Sequence, residues 1–363
     1  MKTTRTPGRG ALSNREGRFA RWTHEPEPPL AEPIGEDPRS EPTELHVDTS
    51  RTVIARNNSP DVPFSQSINP YRGCEHGCIY CYARPTHAYL DLSPGRDFET
   101  QIFYKPNAAD LLRRELATPR YAVSPLAMGT NTDPYQPVER KLRVTREILE
   151  LLLDARHPVT IVTKGALILR DLDLLAALAA RRLVAVTVSL TTLDDELKRR
   201  MEPRTAGPDR RLRMIRELSQ KGIPTGVLTA PIIPGLNDHE LETMLERAAA
   251  NGAQSAGYVL LRLPHEVEGL FVEWLDAEYP DRSRHVQSLL RQMRGGELSD
   301  GRFHSRQRGS GPFAALLRAR FDRARDRYGL NRPAVLDTGS FRRPQLPGSQ
   351  LDLWAGQGAG SRP

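Results

Sequence analysis

The sequence predicts an α/β fold: a partial (βα)6 barrel with a helical extension on its C-terminal side. Two observations carry the prediction. Between residues 64 and 264, six short β-rich apolar runs alternate with helical runs, and such alternation implies a parallel sheet curved by right-handed crossovers. After residue 265 the alternation stops and helical runs take over. A doubly wound open sheet is the competing architecture, but no G-x-G-x-x-G follows the first strand.

The elements follow in order. "FSQSIN" (64–69) is the first strand candidate and "AVSPLAMG" (122–129) the second. In 137–156, Val138, Leu142, Leu149, Leu152 and Leu153 share one helical stripe, and Pro137 suits the first turn. "VTIVTK" (159–164), "LVAVTVSL" (183–190), "TGVLTAPII" (225–233) and "AGYVLLRLP" (256–264) read as the remaining strands. Helices are expected at 169–182, 193–201, 208–221 and 238–252, the last with Asp238 as N-cap. Those of the extension are expected at 266–279, 283–294 and 311–328.

These boundaries divide the chain into four parts. Residues 1–50 form a largely disordered N-terminal segment with a Pro- and Glu-rich linker at 24–42. The barrel occupies 51–264, the basic helical extension 265–343, and a disordered tail 344–363. The net charge is +7, with arginine concentrated between 282 and 343. Such a stretch either attracts a polyanion such as nucleic acid or forms a solvated surface helix, and the loop at 295–313 offers Arg306 and Arg308 to phosphate. No apolar run is long enough to span a membrane, and the basic N-terminus has no apolar core of a signal peptide. A cytoplasmic protein is therefore expected.

In βα folds the chemistry sits at the C-terminal ends of the strands. The loop after the first strand, "YRGCEHGCIYCYARPTH" (71–87), holds Cys74, Cys78 and Cys81, the only three cysteines of the chain. Clustered and odd in number, they argue against a disulfide scaffold. Soft thiolates select zinc, copper(I) or an iron–sulfur centre. Zinc would need His76 or His87 as a fourth ligand. A cubane held by three cysteines keeps one iron open to a small molecule. Tyr82, Arg84 and His87 follow the loop directly and are candidates to face a substrate, with Tyr82 as a hydrogen-atom relay.

C-x3-C-x2-C with Tyr80 before the last cysteine resembles the radical S-adenosylmethionine (SAM) superfamily, whose barrel is TIM-like. "GTNTDPYQPVE", "VTKG", the run from "SLTT" to "KGI" and "APIIPGLND" resemble its spore photoproduct lyase-like branch, often called DNA repair photolyase-like. The resemblance implies that Cys74, Cys78 and Cys81 ligate a [4Fe–4S] cluster whose open iron chelates SAM. Reductive cleavage then yields a 5′-deoxyadenosyl radical that takes hydrogen from a substrate, nucleic acid being one candidate. It also implies a reductant such as flavodoxin or ferredoxin. By the same resemblance Tyr80 lies beside adenine, and Thr130, Asn131, Thr132 and Asp133 meet the methionine ammonium. Lys164 and Ser189 reach the ribose, Lys164 or Arg204 the carboxylate, and Ile232 and Ile233 line the adenine pocket. The branch's photoproduct lyase uses a further cysteine as hydrogen donor, and this chain has no fourth cysteine. The alternative reading is a non-catalytic, metal-stapled nucleic-acid-binding protein.

Overall fold

A computed structural model describes residues 6–20 and 41–346. Most of the Pro- and Glu-rich linker and the tail beyond 346 lie outside the described residues. The strands are β1 (Glu44–Val47), β2 (Ile54–Arg56), β3 (Gln66–Ile68), β4 (Tyr71–Arg72), β5 (Gln101–Tyr104), β6 (Leu126–Met128), β7 (Val159–Thr163), β8 (Val184–Ser189), β9 (Thr225–Ile232) and β10 (Ser255–Leu260). In the larger sheet β3, β6, β7, β8, β9 and β10 lie side by side and parallel, and β2 joins β3 antiparallel at one edge. β10 is the other edge, so the barrel is partial and open on one side. The six expected strands are these six parallel ones.

The strands form where β-branched residues alternate. Along β7, Val159, Ile161 and Thr163 point into the core while Thr160 and Val162 lie partly outside. The helices between strands cover the outer face. The helix Val144–Asp154 buries Val144, Ile148, Leu149, Leu151 and Leu152 against it, each apolar side chain contributing about 1.5–3 kcal/mol. The continuous helix expected over 137–156 is in fact two, Glu139–Leu142 and Val144–Asp154. Arg143 breaks it with φ of 56°. The cause is the buried Glu139 carboxylate, which accepts from Thr145 N–H, the Tyr71 hydroxyl and Arg170. Asp238 is likewise not the N-cap of its helix: it opens a short 3-10 turn and accepts from Gly235 N–H, and the α-helix begins at Leu241.

The N-terminal segment departs most from expectation. Residues 6–20 and 41–50 are ordered, and β1 pairs parallel with β5. Gly10 and Ala11 donate their N–H groups to the buried carboxylate of Glu99, and Arg9 donates to the Glu99 carbonyl. Ser13 reaches Glu273 and Arg18 reaches Glu266 on the C-terminal helix Glu266–Glu278. Low local hydrophobicity hid these contacts, because hydrogen bonds to distant acids hold the segment.

The C-terminal helices Glu266–Glu278, Pro280–Met293 and Gly311–Arg327 follow β10. The first two share a core with the cysteine loop, where Phe271, Trp274 and Leu290 pack in one cluster with Cys78, Ile79 and Tyr80. Among the described residues no helix is long and apolar enough to cross a membrane.

Candidate functional site

The cysteine loop leaves β4 and is closed by the backbone. Cys74 N–H donates to Phe98 O at 2.9 Å, Ile79 N–H to Met201 O at 3.0 Å and Cys81 N–H to Cys78 O at 3.2 Å. Gly77 adopts φ of 67° and has no room for a side chain, since a Cβ there would lie 2.8 Å from a Glu99 carboxylate oxygen. Arg84 is fully buried. It donates to the carbonyls of Cys78, Pro94 and Gly95 and pairs with Glu99. His87 is also buried, bonded to Gln101 O, and burial pushes its pKa down to about 4. Arg84 and His87 therefore brace the loop; neither faces a substrate.

The three thiols are close enough to influence one another. Burial raises the Cys74 pKa, and the charges of Asp133, Cys78 and Cys81 raise it further. Burial, then Glu202, pushes Cys78 up to about 12, against Lys164 and Arg211. Burial raises Cys81 too, opposed by N–H groups of Ala83 and Arg84 and by the charges of Arg84 and Lys164. Cys74 accepts from the N–H of Asp133. Buried sulfurs with backbone N–H donors and nearby cations fit thiolates whose charge a cationic centre would neutralise. Among the described residues no group of three or more His, Cys, Asp or Glu is arranged to hold a metal ion.

Beneath the loop lies a buried network. Tyr80 O–H donates to Glu202, Thr191 donates to the same carboxylate at 2.7 Å, and Arg211 forms an ion pair with it. Arg211 also donates to Ser189 O at 3.0 Å, Ala206 O at 2.8 Å and Thr205 Oγ1 at 2.6 Å. Burial alone would raise the Glu202 pKa, but Arg211, Lys164, Tyr80 and Thr191 together hold it down at about 2. Neither Glu202 nor Arg211 was singled out from the sequence. The available signal was weak: Arg211 lies on the buried face of its helix, beside Leu212 and Ile215.

The other candidates separate into exposed and engaged groups. Lys164 projects its ammonium to 5.8 Å from the Tyr80 ring centroid, on the side of the thiols. Tyr82 is half exposed, donates to Thr130 O and has Arg262 over its ring at 5.8 Å. Thr130 and Asn131 are partly open, whereas Thr132 is buried with its hydroxyl on Tyr71 O. The Asp133 carboxylate takes Thr163, Lys164 N–H and Tyr135 N–H, with His76 at 3.4 Å. The Ser189 hydroxyl is buried and donates to Ala230 O, and Ile232 and Ile233 pack fully in the core. Arg204 pairs with Glu75 on the outer side of the loop, so its charge is already engaged. Arg306 pairs with Asp61 and Ser59, and Arg308 stacks on Tyr258 at 4.0 Å. The two arginines expected to await phosphate are thus held within the chain.

Sequence reasoning also missed Arg262, just past the end of β10. It is half buried, and among the described residues no carboxylate lies within ion-pair distance of it; the nearby Asp61 is already committed to Arg306. Its guanidinium lies over the ring of Tyr82, the residue directly after Cys81.

A parallel βα barrel carries its chemistry at the C-terminal ends of its strands, and the three-cysteine loop follows the first of them, as in a barrel enzyme. The model of the radical SAM superfamily matches residues 68–248, and the chain belongs to that superfamily of enzymes. It is 40% identical over 236 residues to the uncharacterized protein Rv2578c of Mycobacterium tuberculosis, covering 64% of this chain and 69% of that one. It is 23% identical over 240 residues to the radical SAM Nalpha-GlyT isomerase of Pseudomonas phage M6, covering 64% and 48%. A solved spore photoproduct lyase variant with bound AdoMet and dinucleoside spore photoproduct superposes with a TM-score of 0.58 at 14% identity, over 81% of this chain and 82% of that one. At that identity the likeness speaks for the fold.

Proposed function

We propose that Cys74, Cys78 and Cys81 hold a [4Fe–4S] cluster and that SAM binds beside it in the mouth. The observation that carries this is one loop holding three cysteines, Cys74 and Cys78 buried and Cys81 partly so, with backbone N–H groups on Cys74 and Cys81 and the cation Lys164 beside Cys78 and Cys81. When bound, the cluster and SAM supply a 5′-deoxyadenosyl radical for hydrogen-atom abstraction. The chain's own residues do the rest. Lys164 offers a cation to the SAM carboxylate or ribose. Thr130 and Asn131 offer partly exposed polar groups to the methionine ammonium. Tyr80, held by Glu202, gives a fixed aromatic wall, and the C-terminal helices packed on the loop exclude water from its inner side.

The substrate enters at the open side, beside the Tyr82–Arg262 pair. Arg262 suits an anionic group there, and a nucleic-acid strand is the substrate class that also matches the exposed arginines of the extension. A one-electron reductant completes the cycle.

The test is anaerobic reconstitution with iron and sulfide. The expected result is about four irons per chain and 5′-deoxyadenosine from SAM with dithionite, both lost in Cys78→Ala. One tightly bound zinc and no SAM cleavage would reject the reading. For the substrate class, affinity for a short DNA strand should fall steeply with salt; salt-independent binding, or none, removes nucleic acid.

A further inference from the structure

A second cationic site lies on the outer side of the cysteine loop, away from Tyr82 and Arg262. A cavity of about 610 Å³ is lined there by Glu75, His76, Arg140, Lys141, Arg204 and Arg210. Arg140, Lys141 and Arg210 are exposed, and among the described residues none has a carboxylate partner. Glu75 is the single acid lining the cavity and is taken by Arg204 and the Thr43 hydroxyl. The lining is therefore strongly positive. Leu45, 42% exposed, and Pro137 add apolar area beside these charges. Apolar area among charges suits a protein-docking surface, and the sign of the charges selects the partner.

Glu75 and His76 stand between Cys74 and Cys78 in the chain. The cysteine loop itself therefore forms part of the cavity wall, while Tyr82 and Arg262 at the mouth do not line it.

We infer that this cavity docks an acidic one-electron carrier protein. The inference rests on the radical SAM reading of the same loop. At the docked surface the reduced carrier loses one electron and the site's inorganic centre gains it. No bond is made or broken there and no proton moves.

The experiment compares the reconstituted full chain with the charge reversal R140E/K141E/R210E, whose three positions are exposed and lie outside the mouth. Flavodoxin and a ferredoxin are the probes. Affinity is read by calorimetry, and electron transfer by bleaching of the visible absorbance in stopped flow. Dithionite serves as the small reductant that needs no docking. The expected result is at least about tenfold weaker carrier binding and slower carrier-driven bleaching. Dithionite-driven bleaching should stay within about twofold, and added salt should mimic the variant in the wild type. The conservative R140K/R210K should behave as wild type. Unchanged carrier affinity and rate would overturn the inference. An equal loss with dithionite would place the role in the site itself and also overturn it. Weakened binding of a short DNA duplex with unaffected carriers would give the surface to nucleic acid instead. Wild-type protein that takes up no cluster or cleaves no SAM with dithionite would fail the underlying reading, which is a separate result.

Discussion

The Glu202–Arg211 pair is the most exposing point at which to test the architecture under the loop. Arg211→Met removes the guanidinium and keeps most of the side chain's length. Both partners are almost fully buried, so the variant leaves a carboxylate in a dry site with hydroxyl donors from Tyr80, Thr191 and Thr205 and only the more distant Lys164 charge to offset it. Three acceptors, Ser189 O, Ala206 O and Thr205 Oγ1, also lose their donor. Breaking one side of a buried pair destabilises by about 3–5 kcal/mol. That is a large part of the roughly 5–15 kcal/mol that holds a domain folded. The thermal midpoint should fall by about 4–7 °C, and urea unfolding should show the loss in the midpoint with little change in slope. Glu202→Gln/Arg211→Met, which removes both charges, should regain a good part of the loss, giving a coupling of about 1–3 kcal/mol in the double-mutant cycle. Arg211→Met within about 1 kcal/mol of the wild type would refute the claim that the pair supports the fold beneath the loop.

Other expectations follow from single contacts. His157 is buried, and burial holds its pKa at about 4, below the usual His value. The unfolded chain therefore takes up a proton as pH falls through about 6.5, while the folded chain resists until about 4. Stability should thus decline by about 3 kcal/mol across that window. His157→Gln should flatten that part of a pH–stability curve; an unchanged slope assigns the decline to other groups. Gly10→Ala should displace the N-terminal segment, because a Cβ there would lie 1.8 Å from Gly77 O. Faster amide exchange at Ala11 and Leu12 would show it, and unaltered exchange would deny the close approach. Arg306→Ala removes the ties to Asp61 and Ser59 across the open side of the barrel. Exchange in 302–308 should rise with DNA affinity unchanged, and a large loss of affinity would return Arg306 to the phosphate-binding role.

The parallel strands were legible because each couples β-branched alternation to a following helical stripe, as β7 and its neighbours do. The three cysteines were legible because their spacing is local. The supporting shell was not. Glu99 joins Gly10, Ala11 and Arg84, and Glu202 joins Tyr80, Thr191 and Arg211. No local pattern marks a charge as buried when its partners range from nine residues away, as Arg211 is from Glu202, to more than a hundred, as Tyr80 is. Arg204, chosen from the same stretch as Glu202, turned outward to Glu75. Arg143 shows the same limit, since a helix was broken by Glu139 acting on Thr145 and Tyr71.

The contacts of residues 6–20 set an order of assembly. Ser13 and Arg18 find Glu273 and Glu266 more than two hundred residues downstream. At roughly 5–20 residues per second on the ribosome, these acids are synthesised about 12–50 s after their partners. The cysteine loop and its barrel thus emerge while the segment that closes over Gly77 has its Glu99 contacts within reach but not those to Glu266 and Glu273. That cover over the loop is fastened in two stages, the second of them after the barrel strands have been made.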